Sequence, residues 1–189
     1  MSADRTLQTN DYTVAQKVIH WLMAIIITLD LFVAQKFGNP MELADRLESR
    51  VDHGTLGTIV GVLFLLRLVL RRRHGGAALP AAMPAWQQQL AGWAHALLYV
   101  LIGLLLVTGF ATAINATNPI PLFGQLDITI GRETEDVFTF VRGFHELITN
   151  AIIVLIGLHV IAALYHGLIK RDGTTGRMLA FWRSAASRD

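Results

Sequence analysis

The chain has 189 residues, a formal net charge of +2, 53% hydrophobic and 16% charged residues, and no cysteine. Soluble chains average about 25% charged residues, so the composition points to a membrane protein, and the small net charge argues against nucleic acid as a partner. The lack of cysteine excludes disulfides, thiolate zinc sites, cysteine-ligated iron–sulfur clusters and CxxCH haem attachment. Seven histidines need an explanation, because several sit inside apolar runs.

A bilayer core about 30 Å thick takes about 20 mostly apolar residues as helix. Four stretches answer that description, at approximately 17–36, 53–71, 93–115 and 145–170. They predict one all-α domain, a four-helix transmembrane bundle with its sites in the bundle core. The first span follows a polar stretch and carries His20 and Asp30, with no small-residue cleavage site, so it is expected to persist rather than act as a signal peptide. Asp30 is expected to snorkel outwards or, less readily, to serve a proton path. Gly54, Gly57 and Gly61 on the second span allow close helix packing or leave room beside His53 for a flat ring. The 75–84 link is rich in Ala, Pro and Gly and reads as irregular, with Trp86–Gln89 at the interface. Asn118, Pro119, Pro121 and Gly124 place turns in the third link, and Glu133–Arg142 reads as a short surface helix before the fourth span.

Charge sets the orientation. Arg71, Arg72 and Arg73 fill the second link, and Lys170, Arg171, Arg177, Arg183 and Arg188 follow the fourth span. Acids dominate the first link (Glu42, Asp45, Glu48, Asp52) and the third (Asp127, Glu133, Glu135, Asp136). The positive-inside rule then places both termini and the Arg71–Arg73 link in the cytoplasm, in a multi-pass membrane protein.

Helical geometry organises the histidines. His145 and His159 are 14 residues apart, hence ~21 Å along the axis and within about 40° of the same face. His166 continues that face seven residues on. His53 opens the second span at the level of His145, and His20 opens the first span at the cytoplasmic side. Two stacked bis-histidine sites follow, a pattern that suits haem b between helices. Zinc fits less well, since its ligands cluster at one depth. A histidine proton relay in a haem-free bundle is the alternative of another class. By depth alone, His159 and His166 compete to partner His20. Arg67, 14 residues after His53, suits an inner propionate or snorkels at the cytoplasmic edge. His95 suits a propionate, a quinone or the interface. Arg132 and Arg142 suit outer propionates.

The motifs IHW (19–21), DHGTLG (52–57) with LLRLVLR (65–71), AHALLY (94–99), PIPLFG (119–124), HELITN (145–150), GLHVIAALYH (157–166) and RDGTTGRML (171–179) occur in this order. Together they resemble the bacterial cytochrome b561 family of dihaem membrane proteins. The third helix departs from the family pattern in reading LLLVTGF without a proline before the glycine. The resemblance implies that His20 and His159 hold the inner of two haems b, and His53 and His145 the outer. It leaves His166 a non-ligand near the inner haem. It also implies an oxidoreductase that oxidises superoxide, or another periplasmic donor, and reduces ubiquinone, with His166, His95 and Lys170 near the quinone. Local cations such as Arg132, Arg142 or Lys36 would then have to offset the acidic outer loops. The alternative within electron transfer is a quinone-reducing cytochrome b anchor subunit of a dehydrogenase or hydrogenase. Oligomeric state is not fixed by the sequence.

Overall fold

The computed structural model describes residues 11–80, 83–116, 118–130 and 135–180. Its main elements are four long helices, α1 (Val14–Gln35), α2 (Leu43–His74), α3 (Ala85–Ile114) and α4 (Glu135–Leu164). A 3₁₀ turn (Lys36–Gly38) ends α1, a π-helical segment (Tyr165–Lys170) continues α4, and a short α5 (Gly176–Leu179) follows. All four long helices are long and apolar enough to cross a membrane. Thr13 starts α1 with a capping box, accepting from the Gln16 amide while the Gln16 side chain accepts from the Thr13 amide.

The bundle is built as two helical hairpins. Helix α1 packs chiefly on α2, and α3 on α4, while contacts between the hairpins are sparse. The two hairpins thus enclose a cleft. A small core of Met23, Val60 and Phe64, with Tyr99 and Ile102 against it, fills the cleft at mid-height. The outer faces are apolar and exposed, as at Phe32 (69%), Trp93 (76%) and Ile169 (73%). Faces of that kind suit a lipid solvent, in which the hydrophobic groups need no protein cover.

The first and third links lie at one end of the bundle, here the hairpin end. Between α3 and α4, strands β1 (Pro121–Leu122) and β2 (Leu126–Asp127) pair antiparallel, Pro121 opposite Asp127. Phe123 (φ 54°) and Gly124 (φ 73°) form the turn. Leu122 leans on Gly54, where a Cβ would come within 2.9 Å of it, and the Phe123 amide donates to Thr55 Oγ1 at 3.0 Å. The turn residues of the third link are therefore where the sequence puts them, but they close a small β-hairpin that caps the cleft.

Two expectations are corrected. Asp45, Glu48 and Asp52 are not in a loop but on the first turns of α2, which begins at Leu43. Its 32 residues measure ~48 Å, so α2 overshoots a bilayer core. The 135–142 stretch is no separate surface helix, because it runs without a break into α4. Trp86–Gln89, expected at the interface, form the first turns of α3, and nothing in that placement contradicts the expectation.

The opposite, terminal end is closed by a polar latch. Lys17, only 1% exposed, pairs with Asp11 at 3.0 Å and donates to the Ala180 carbonyl at 2.9 Å. Trp21 Nε1 donates to the Met178 carbonyl at 3.0 Å, and Gln16 Nε2 to the Gly75 carbonyl at 3.0 Å. Thr175 Oγ1 donates back to the Ala163 carbonyl at 2.6 Å. A lysine without water needs such partners to stay charged.

Candidate functional site

Two histidine pairs bridge the cleft. At the hairpin end, His53 of α2 and His145 of α4 have ring centres 6.0 Å apart, at 79°. At the terminal end, His20 of α1 and His159 of α4 have ring centres 6.5 Å apart, at 71°. Two imidazoles on opposite sides of one metal, each nitrogen ~2 Å from it, put their ring centres roughly 6.3 Å apart. Both spacings match that figure. Each pair takes one ring from each helical hairpin, so the sparse contact between hairpins leaves the space that such a centre needs.

The hydrogen bonds set the tautomers at the hairpin end. His53 Nδ1 lies 2.7 Å from Asp30 Oδ1. An ionised carboxylate only accepts, so Nδ1 carries the proton and Nε2 the lone pair. His145 Nδ1 lies 2.8 Å from Thr108 Oγ1, whose own hydrogen goes to the Leu104 carbonyl at 2.7 Å. The hydroxyl therefore accepts from Nδ1–H, and His145 too keeps a lone pair on Nε2. This is how metal-binding histidines are usually oriented from behind. The Asp30 carboxylate does not snorkel outwards, as expected from sequence. It is 15% exposed and turned onto His53, because an intramembrane acid is cheapest where a donor meets it. Phe37 holds the other flank of the His53 ring, 6.0 Å away.

Around this pair lies a cavity of about 750 Å³, within the range of cofactor pockets. Gly57, Gly61 and Gly109 lie along its walls. Gly57 has open space where a side chain would stand, and a Cβ at Gly109 would come 3.2 Å from the His145 ring. Of the two roles open to the glycines of α2, Gly57 leaves room and Gly54 permits close packing. Arg46, Arg50 and Arg142 line the same cavity. Arg142 also pairs with Glu146 at 2.8 Å, and the Arg50 guanidinium lies over the Phe138 ring at 5.9 Å. Arg132 falls outside the described residues. Lys36 lies outside the cavity, in a surface depression with Asp45, Glu48 and Asp52.

At the terminal end a third ring joins the pair. His95 of α3 stands 5.4 Å from His159, almost 1 Å short of the spacing for two ligands on one metal. Its Nδ1 donates to the Ala91 carbonyl at 2.6 Å, which leaves the lone pair on Nε2. Arg67 donates from Nε to Tyr99 Oη at 3.0 Å and lies over that ring, within electrostatic reach of His20, His95 and His159. His166 is drawn away to the π-helical segment, where Nδ1 lies 2.5 Å from Asp172 Oδ2. Lys170 is exposed at the end of that segment.

Sequence reasoning missed Asp30 as the partner of His53, Thr108, Tyr99, Arg46 and Arg50. Asp30 carried a signal, an acid in an apolar run near the same end as His53. Arg46 and Arg50 were hidden by the reading of their stretch as loop. Among the described residues no three His, Asp or Glu side chains converge as a metal-ion site. Paired imidazoles two by two suit an iron whose remaining ligands come with a macrocycle, and not tetrahedral zinc.

The profile of the family described as prokaryotic cytochrome b561 matches residues 11–180. Among curated proteins, the chain is 25% identical over 171 residues to cytochrome b561 homolog 1 of Escherichia coli (strain K12), covering 90% of this chain and 97% of that one. It is 24% identical over 172 residues to the probable superoxide oxidase CybB of Yersinia pestis, covering 89% and 95%. It is 26% identical over 177 residues to cytochrome b561 homolog 2 of Escherichia coli (strain K12), covering 89% and 90%.

Proposed function

The chain belongs to the prokaryotic cytochrome b561 family, a membrane electron-transfer family whose cofactor is haem b, and from that premise we propose that it holds two haems and acts as a superoxide:ubiquinone oxidoreductase. The observation that carries this reading is the pair of cross-cleft imidazole spacings, 6.0 and 6.5 Å, hung from one helix. His53 and His145 hold one haem at the hairpin end, and His20 and His159 the other at the terminal end. Between two imidazoles, haem b supplies a one-electron couple with no open coordination position.

The chain's own residues do the rest. Asp30 and Thr108 orient the hairpin-end imidazoles from behind. Arg46, Arg50 and Arg142 outnumber Asp30 and Glu146 on the wall of that cavity, and the surplus favours a small anion despite the acidic turns around it. Arg67 would hold a propionate of the terminal-end haem. His95, with its Nε2 lone pair, His166 and Lys170 stand near the quinone. The positive-inside rule faces the hairpin end to the periplasm and both termini to the cytoplasm of a bacterial inner membrane. In the overall reaction two superoxide anions become two dioxygens, while ubiquinone takes up two electrons and two protons.

The purified protein, produced with haem in supply, is expected to bind two haems b per chain by pyridine haemochrome assay. Pulse-generated superoxide is expected to reduce them, and a soluble ubiquinone to reoxidise them. One haem or none per chain overturns the dihaem reading. Two haems that superoxide leaves oxidised overturn the superoxide assignment.

A further inference from the structure

The acid in the last third of α1 carries a charge that orienting an imidazole does not by itself require. Asp30 stands in the run IIITLDLFVA, where a charge is expensive unless it meets a partner. Its carboxylate meets His53 Nδ1 at 2.7 Å and is 15% exposed. Two other cleft histidines have neutral partners behind them, a hydroxyl at His145 and a carbonyl at His95. His166 also meets a carboxylate, but outside the cleft pairs.

We propose that Asp30 is a positioning residue for the hairpin-end haem, locking His53 as the Nδ1–H tautomer and biasing that iron towards its oxidised form. The proposal rests on the assignment of His53 and His145 as haem ligands. The physical case has two parts. A carboxylate on Nδ1–H makes Nε2 a stronger electron donor, which favours the more highly charged metal state. The negative charge also stabilises the extra positive charge of that state directly, and it does so in a poorly screened interior. The Thr108 hydroxyl behind His145 supplies orientation without the charge. The hairpin-end site therefore has one charged and one neutral support, and the charged one lowers its potential against the pull of Arg46, Arg50 and Arg142 on the same cavity.

The test uses the detergent-purified holoprotein and spectroelectrochemical titration of both haems. His53→Ala first identifies the hairpin-end transition as the one that disappears. In Asp30→Asn, which keeps the size and a hydrogen-bond acceptor, both haems are expected to stay. The reduction equilibrium of the hairpin-end haem is expected to move at least tenfold towards the ferrous form, about 59 mV for one electron, with the other haem unmoved. The ferric electron paramagnetic resonance signal of that site is expected to shift as well. In Asp30→Glu the equilibrium is expected to stay within threefold of the wild type. Two unchanged potentials in Asp30→Asn, or two that move equally, overturn the proposal. If Asp30→Asn sheds the haem, Asp30→Glu decides, since recovery of haem and potential supports the role and failure to recover them overturns it. Retention of both haems in His53→Ala overturns the ligand assignment, and the proposal with it.

Discussion

At the hairpin end each imidazole of the cleft pair has a partner behind it, a glycine-lined cavity beside it and three arginines along the wall. At the terminal end the pair is crowded by a third ring, His95, and by the Arg67–Tyr99 couple, under a latch that ties Lys17, Trp21 and Gln16 to the chain beyond α4 and α2. Both pairs hang from α4, so the difference comes from what the other three helices bring to each level. One end presents three arginines around a roomy pocket, and the other presents exchangeable hydrogen-bonding groups close to the His20–His159 pair. The proposed reaction, with a small anion as donor and an acceptor that also collects protons, calls for that division.

The largest expected effect separates the two levels outright. His145→Ala is expected to lose one haem and His159→Ala the other, each halving the haem per chain, while His166→Ala keeps both. His166 is committed to Asp172, so loss of a haem in His166→Ala would mean that the terminal-end pair is wrongly drawn. A smaller effect is expected from Tyr99→Phe, which leaves Arg67 Nε without its acceptor. A hydrogen bond from a charged group contributes about 1.5 kcal/mol or more, and a loss of that size should appear in chemical unfolding in detergent. The hairpin-end absorption should stay unchanged, and a shift there would show that the levels are not independent.

The smallest effect concerns the turn that follows the π-helical segment. Burial works against the Asp172 carboxylate, but hydrogen bonds from Thr174 and His166 outweigh it and hold the group down at about 2, against an ordinary 3.8. The folded state is thus favoured above pH ~4, and this contribution disappears as pH falls towards 2. Asp172→Asn is expected to lower the unfolding midpoint modestly at pH 7, with the gap from wild type closing between pH 4 and pH 2. A gap that persists at pH 2 would assign the effect to packing.

The four helices and the two histidine levels were legible in the sequence because they depend on single-helix quantities. Hydropathy over about 20 residues fixes a span, and a 14-residue spacing fixes face and depth on α4. The pairing of His20 with His159 was not fixed by such arithmetic, since His166 matched His20 better by depth, and the resemblance implied the choice instead. Features set by rotation of one helix against another stayed hidden. Asp30 finds His53, and Arg67 finds Tyr99, only once the azimuth of each helix is known, and packing decides that. The α2 extension was misread because Asp45, Glu48 and Asp52 lower its hydropathy without lowering its capacity to be helical.

The latch has a consequence for biosynthesis. Lys17 enters the bilayer with α1, long before Ala180 has left the ribosome. Until the carbonyl of Ala180 arrives, the buried ammonium lacks one of its two partners and that end of the bundle is unclasped. The clasp on α1 is therefore among the last contacts of the fold to form, after the fourth crossing is complete.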